Sequence, residues 1–229
     1  MRYLLIIICF FVVLTSCFTP NSDVSKPAVR TNSDATFAKN DLSSTKSSGG
    51  RKQVEFAIPS YDSLFAQHPS FNFDGFDFPV GKPDGDNYFK AVKFGQRLHL
   101  GEDWNGINGG NSDLGDPVYS LGNGYVSVAE HLCCGWGNVI RVIHKMPAGH
   151  EHAYTESVYA HLQRKQVSVG DFIRRGEQLG TIGTADGKYS AHLHLELRSF
   201  IGMSIGPGYA EDNFGYLAPT PFIEQHRPR

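Results

Sequence analysis

Three short stretches of this chain hold residues that do chemistry in combination: His99-Leu100-Gly101-Glu102-Asp103, Tyr159-Ala160-His161-Leu162 and His192-Leu193-His194-Leu195-Glu196. In the last, the two-residue period of a β-strand puts His192, His194 and Glu196 on one face and Leu193, Leu195 and Leu197 on the other. Two imidazoles spaced this way stand about 7 Å apart at Cα, close enough to share a small site. Burying such a pair without a metal or an acid costs stability. In the first stretch, Gly101 lets the chain bend so that His99 and Asp103 converge, and the flanking Gly95 and Gly106 weigh against a helix. Zinc accepts imidazole and carboxylate ligands tetrahedrally, and catalytic zinc keeps three protein ligands with one position open. His99, Asp103 and one of the paired histidines supply that set. His161 and the other paired histidine remain for proton work. A single H-x-H or H-x-x-x-D says little; all three stretches in one β domain point to metal-assisted hydrolysis.

The elements that must position them read as short strands between glycine turns. Val126 and Val128 alternate with Tyr125, Ser127 and Ala129, and Asn138 to His144 is rich in β-branched residues. Ser157 to Leu162 and Gln178 to Ile182 are further strands, and His192 to Arg198 alternates strictly. No stretch of a dozen residues carries helical periodicity. The pattern predicts an all-β fold: a compact antiparallel sheet domain over residues 91–229, with a groove holding the metal and irregular flanks. The end, with Pro207, Pro219, Pro221 and Pro228, reads as coil. Residues 51–90 read as a transitional segment packed on that core, with Phe71, Phe73, Phe76 and Phe78 set among Asp, Gly and Pro. Trp104 to Leu114 reads as an insertion whose Asn, Gly and Asp suit turns better than a calcium loop.

The chain has 229 residues with 40% hydrophobic and 19% charged, the composition of a globular protein and not of a disordered chain. Its 21 basic residues against 23 acidic leave no basic footprint for nucleic acid. At the N-terminus, Arg2 precedes an apolar run from Tyr3 to Leu14, too short to span a membrane and shaped like a secretory signal. Leu14-Thr15-Ser16-Cys17 resembles the bacterial lipobox, which implies a signal peptide at 1–16, a lipid on Cys17 and an exported envelope lipoprotein, facing the periplasm from the outer membrane in a diderm. Residues 17–50, rich in Ser, Thr, Asn, Lys and Pro, read as a flexible tether. Cys133 and Cys134 are adjacent, and their Cα separation is below that preferred by disulfides, so they read as two small unbridged residues in a tight loop. His68, His131, His150, His152 and His226 read as solvated, and His144 as a strand-end residue near the sheet edge.

The region from His99 to Glu196 resembles the lysostaphin-type (LytM-like) zinc metalloendopeptidases of peptidoglycan. The resemblance runs in order through His99-Leu100-Gly101-Glu102-Asp103, Gly115 to Ser120, Gly124-Tyr125-Val126 and Gly135 to Ile140. It continues through Tyr159-Ala160-His161-Leu162, the hairpin Val169 to Gly180, and His192-Leu193-His194-Leu195-Glu196. It implies that His99, Asp103 and His194 hold one zinc ion and that His161 and His192 are the catalytic pair. Glu196, on the strand face of His194, could orient that ligand. Leu195 stands where such enzymes usually have Phe. The implied substrate is the cross-link or stem peptide of peptidoglycan. A non-catalytic relative, activating another wall hydrolase or scaffolding division, is the alternative, but such relatives lose site residues and this chain keeps all five. A lipoyl-type barrel lacks its Lys at the hairpin tip between Val167 and Gly183.

Overall fold

The computed structural model describes residues 60–228. The proposed signal segment, Cys17 and the tether lie outside the described residues. In chain order the strands are β1 (Tyr88–Val92), β2 (Glu102–Gly106), β3 (Pro117–Tyr119), β4 (Gly124–Leu132) and β5 (Gly137–Lys145). There follow β6 (Tyr154–Lys165), β7 (Phe172–Ile173), β8 (Gln178–Ile182), β9 (Leu193–Arg198) and β10 (Tyr216–Leu217). They form one antiparallel sheet in the order β1-β2-β9-β6-β5-β4-β7, with β10 added to β9 and β8 joining β3 to β6. The all-β antiparallel reading therefore holds.

Alternation sorts each strand into a core face and a site face. On β9, Leu193, Leu195 and Leu197 are fully buried in the main core with Val126, Ile140, Tyr159 and Leu179. His194, Glu196 and Arg198 occupy the other face and are also buried. Two strands flank β9: Asp103 of β2 is directly opposite His194, and Ala160 of β6 is opposite it on the other side. The small Ala160 leaves room beside the imidazole. A second cluster of Trp136, Val139, Val158 and Ala160 underlies this face.

Two short helices depart from the coil expected of the flanks: α1 (Tyr61–Gln67) and α2 (Pro219–Gln225). Ser60 caps α1 by accepting the Ser63 N–H at 3.2 Å. The prolines that suggested coil at the C-terminus instead start α2, since Pro219 sits at N1, where no intrahelical N–H is needed. Phe222 and Ile223 then enter the core. Glu102 of β2 accepts hydrogen bonds from the Thr220 N–H and hydroxyl at 3.3 and 2.7 Å, fixing α2 to the site strand. Trp104 belongs to β2 and is buried, so the irregular loop starts only after Gly106. There the Asp113 carboxylate accepts the Gly106 N–H at 2.9 Å.

Three further readings are corrected. Cys133 and Cys134 are bonded to each other and exposed, because the turn places Cys134 in the left-handed region at φ 66° and turns the two sulfurs together. His150 and His226 are not free in solvent but share a 3.1 Å contact between their Nε2 atoms beside Phe222. His144 is at 0% exposure inside the core, away from the metal-ligand cluster. Among the described residues, no helix is long and apolar enough to cross a membrane.

Candidate metal centre

The sheet brings all five sequence-predicted polar residues to one groove. His99 Nε2, Asp103 Oδ1 and His194 Nδ1 form a triangle with sides of 3.0, 2.9 and 3.3 Å. Ligand atoms about 2.0–2.1 Å from a tetrahedral zinc stand about 3.3 Å apart, so this triangle matches one face of such a site. His99, Asp103 and His194 are all buried, and together they could hold a metal ion. The donor chemistry agrees with the geometry. Two imidazole nitrogens face each other across 3.0 Å, a contact that needs either a shared proton or a cation.

Each ligand arrives by a different local device. Asp103 and His194 are register partners on β2 and β9, so their side chains project together. His99 precedes β2 and bridges to Tyr209, whose ring lies 4.7 Å from its own. Gly101 does more than allow a bend. A Cβ there would overlap the Leu195 carbonyl oxygen and come within 3.1 Å of the His194 ring, so glycine lets the two ligand strands close up.

Both ring nitrogens of His194 face carboxylates. Nε2 donates to Glu196 Oε1 at 3.2 Å, and Nδ1 lies 2.9 Å from Asp103 Oδ1, where a metal ion would take the place of its proton. Burial works against charge on His194, but Asp103 and Glu196 outweigh it and raise its pKa to about 9. For Asp103, too, burial opposes ionisation. Hydrogen bonds from His194 and His99 prevail and hold the carboxyl well below the usual range.

His161 reaches the groove against the alternation of its strand. Ala160 already faces the site, so the next side chain ought to point to the opposite face. The β5–β6 register slips at this position and His161 adopts φ 64°, which returns its ring to the groove. Both its backbone N–H and Nδ1 sit on the Trp136 carbonyl, at 2.9 and 3.2 Å. His192 likewise donates from Nδ1 to the Ser190 carbonyl at 2.8 Å. A carbonyl only accepts, so each ring keeps Nε2 as the nitrogen free to take a proton. The two ring centroids are 4.8 Å apart, and His192 Nε2 lies 3.7 Å from Asp103 Oδ1. Burial first, then His194 and His192, push the His161 pKa down to about 3, so this ring is neutral at neutral pH.

The groove has a cavity of about 130 Å³. Besides His161, His192, His194 and Asp103 it is walled by Cys134 to Trp136, Tyr189 and the segment Pro207, Gly208 and Tyr209, with His99 behind Tyr209. Tyr189 and Tyr209 were not singled out from the sequence; they lie in loops, where no period marks the direction of a side chain. Arg198 was also missed, although one more step of the same alternation places it beside Glu196. Here Nε donates to Glu196 Oε2 at 3.0 Å.

Comparison with known proteins agrees with this geometry. Residues 99–207 match the family model of Peptidase family M23. The cell division protein DipM of Caulobacter vibrioides is 32% identical over 84 residues, covering 37% of this chain and 13% of DipM. Lipoprotein NlpD of Yersinia enterocolitica is 30% identical over 93 residues, covering 41% of this chain and 87% of NlpD. The chain thus spans only a small part of DipM and most of NlpD. The solution structure of lysostaphin aligns at a TM-score of 0.50 and 22% identity, over 66% of this chain and 55% of that one, a likeness of fold.

Proposed function

Because the chain belongs to peptidase family M23, we propose that it is a zinc-dependent endopeptidase that hydrolyses peptide bonds in the cross-links or stem peptides of peptidoglycan. The observation that carries this reading is the pairing of two sets in one groove. Three ligand atoms converge at 2.9–3.3 Å, and two histidines beside them keep Nε2 free. His99, Asp103 and His194 would hold one zinc ion. Zinc bound there supplies Lewis acidity towards a peptide carbonyl and makes water a stronger acid.

The chain's own residues do the rest. The Trp136 and Ser190 carbonyls hold His161 and His192 in the tautomer that accepts a proton at Nε2. One ring takes the proton of the attacking water, and the pair returns it to the departing amine. Trp136, Tyr189 and Tyr209 narrow the groove around an extended peptide. Glu196 holds the Nε2 proton of His194, so Nδ1 is the nitrogen that would turn to the metal.

Digestion of purified sacculi by the purified chain, with and without chelator and with products identified by mass, tests the reading. Chelator-sensitive release of peptide fragments is expected, and His194→Ala should lose zinc and turnover together. Intact sacculi in the presence of a zinc-loaded chain would favour a non-catalytic activator or scaffold of wall hydrolysis.

The likeness to a lipoprotein supports a lipid on Cys17 and an envelope location, with 17–50 as the tether between lipid and enzyme. Two or more acyl chains anchor stably where one does not. Cys17→Ser should therefore leave the membrane fraction. Equal incorporation of labelled fatty acid into that variant would overturn the anchor.

A further inference from the structure

Arg198 is a fully buried cation on the site face of β9. Its guanidinium divides between two tasks. Nε and Nη2 donate to Glu196 Oε2, whose carboxylate in turn accepts the Nε2 proton of His194. Nη1 and Nη2 also donate to the carbonyls of Ser204 and Ile205 at 3.0 and 2.7 Å. Those two residues open a strap, 203–210, that ends at the groove. Its far end is sewn to the other histidine ligand. The Leu100 N–H donates to the Gly208 carbonyl at 2.9 Å, the Ala210 N–H donates to the Leu98 carbonyl at 3.0 Å, and Tyr209 lies against the His99 ring. The strap therefore runs from the support of His194 to His99 itself, and Pro207 to Tyr209 at its far end form a wall of the groove.

We propose that Arg198 is a positioning residue that couples metal binding to the order of the 203–210 strap, so that the groove wall is set in place when His99 and His194 are held by zinc. A planar fork is needed for this, since one side chain must serve a carboxylate and two carbonyls in fixed directions, which an ammonium does less well. Binding that fixes both ligands fixes both ends of the strap. By reciprocity, a strap that is held also favours the metal.

The inference rests on the zinc reading of the site but not on turnover. The experiment is hydrogen exchange of the purified full chain, zinc-loaded and chelator-stripped, followed in peptides spanning 199–212, together with zinc affinity by competition. In the parent, zinc should slow exchange across the strap. Arg198→Lys keeps the charge that balances Glu196 but loses the fork. It should lose that zinc-dependent slowing and bind zinc roughly 10-fold more weakly, the scale seen when a ligand's support is removed. A merely structural role would speed exchange by the same factor with and without zinc, and that result would overturn the proposal. Should Arg198→Lys not fold, the double variant Glu196→Leu/Arg198→Met replaces the buried pair by apolar side chains of similar size, an exchange that proteins often tolerate. Zinc-dependent slowing that persists in the double variant would overturn the coupling. A parent that binds no zinc overturns both this inference and the peptidase reading. A parent that shows the coupling but cleaves nothing supports this inference and overturns only the other.

Discussion

His161 and His192 have the same arrangement: Nδ1 bound to a backbone carbonyl and Nε2 left over. His194 is arranged in the opposite sense, with Nε2 on Glu196 and Nδ1 on Asp103. Within the H-x-H pair this difference distinguishes His192, proposed to carry protons, from His194, proposed to hold metal. His161→Ala should therefore keep its zinc and its fold while turnover falls on the order of 10²-fold or more, the scale of a general acid–base group. His192→Ala should do the same, and the double variant should lose less than the product of the two, because the groups serve one water. Zinc content and sacculus digestion measured side by side decide it. A zinc-loaded His161→Ala chain with undiminished turnover would remove that residue from the chemistry. The sequence made the roles partly legible. The spacing of His192 and His194 suggested that one of them could bind metal, and the hydrogen bond to Glu196 is what turns His194 Nδ1 to the His99–Asp103 cluster.

Among the elements, β9 was readable almost in full because six residues of strict alternation leave one choice of faces. β6 was readable as a strand and His161 as a candidate site residue, but the register slip and positive φ that return its ring to the groove come from pairing with β5 and were not readable. α2 was illegible for a different reason: four prolines towards the end suggest coil, and only the burial of Phe222 and Ile223 shows a first-turn proline starting a helix. The close approach of β2 to β9 gives a prediction at this scale. Gly101 lies against the Leu195 carbonyl and the His194 ring, with no room for a methyl group. Gly101→Ala must push the two strands apart, at a cost of about 1–3 kcal/mol for overpacking. The ligand triangle should widen with them, so zinc affinity should fall by more than tenfold while the far strands β4 and β5 keep their protection from exchange. Calorimetric unfolding and zinc competition test this. Unchanged affinity in the variant would mean that the ligand strands are not set by that contact.

For the whole molecule, the buried histidine that the site does not use contributes to acid sensitivity. His144 is enclosed by Phe76, Asn123 and Ser157 in the core. Nδ1 donates to the Asn123 carbonyl at 2.8 Å, which leaves Nε2 to accept the Ser157 hydroxyl at 2.7 Å, so the neutral ring is fully satisfied. A second proton on Nε2 would place a charge at a fully buried site and force the Ser157 hydroxyl to turn from donor to acceptor. Burial accordingly pushes the pKa down to about 4, against a weaker upward effect of the Asn123 carbonyl. In the unfolded chain the same ring titrates near 6.5. Between these values the unfolded state binds the extra proton and the folded state does not, so stability rises with pH across the window and falls as the solution is acidified. The full effect, reached near pH 4, is about 3 kcal/mol. His144→Asn removes the titration. It should be less stable than the parent at pH 7, where the imidazole fills its place, yet should lose less on going to pH 4.5. Urea midpoints of both proteins at the two values measure the difference, in which the other titrating groups cancel. Equal losses would mean that the ring takes up its proton without unfolding the core. A histidine next to a strand end, seven residues after Gly137, carries no mark in the sequence that separates it from the histidines of the groove. What separates them is that β5 lies two strands from β9, so His144 is enclosed by the core while His161, one strand nearer, turns to the metal ligands.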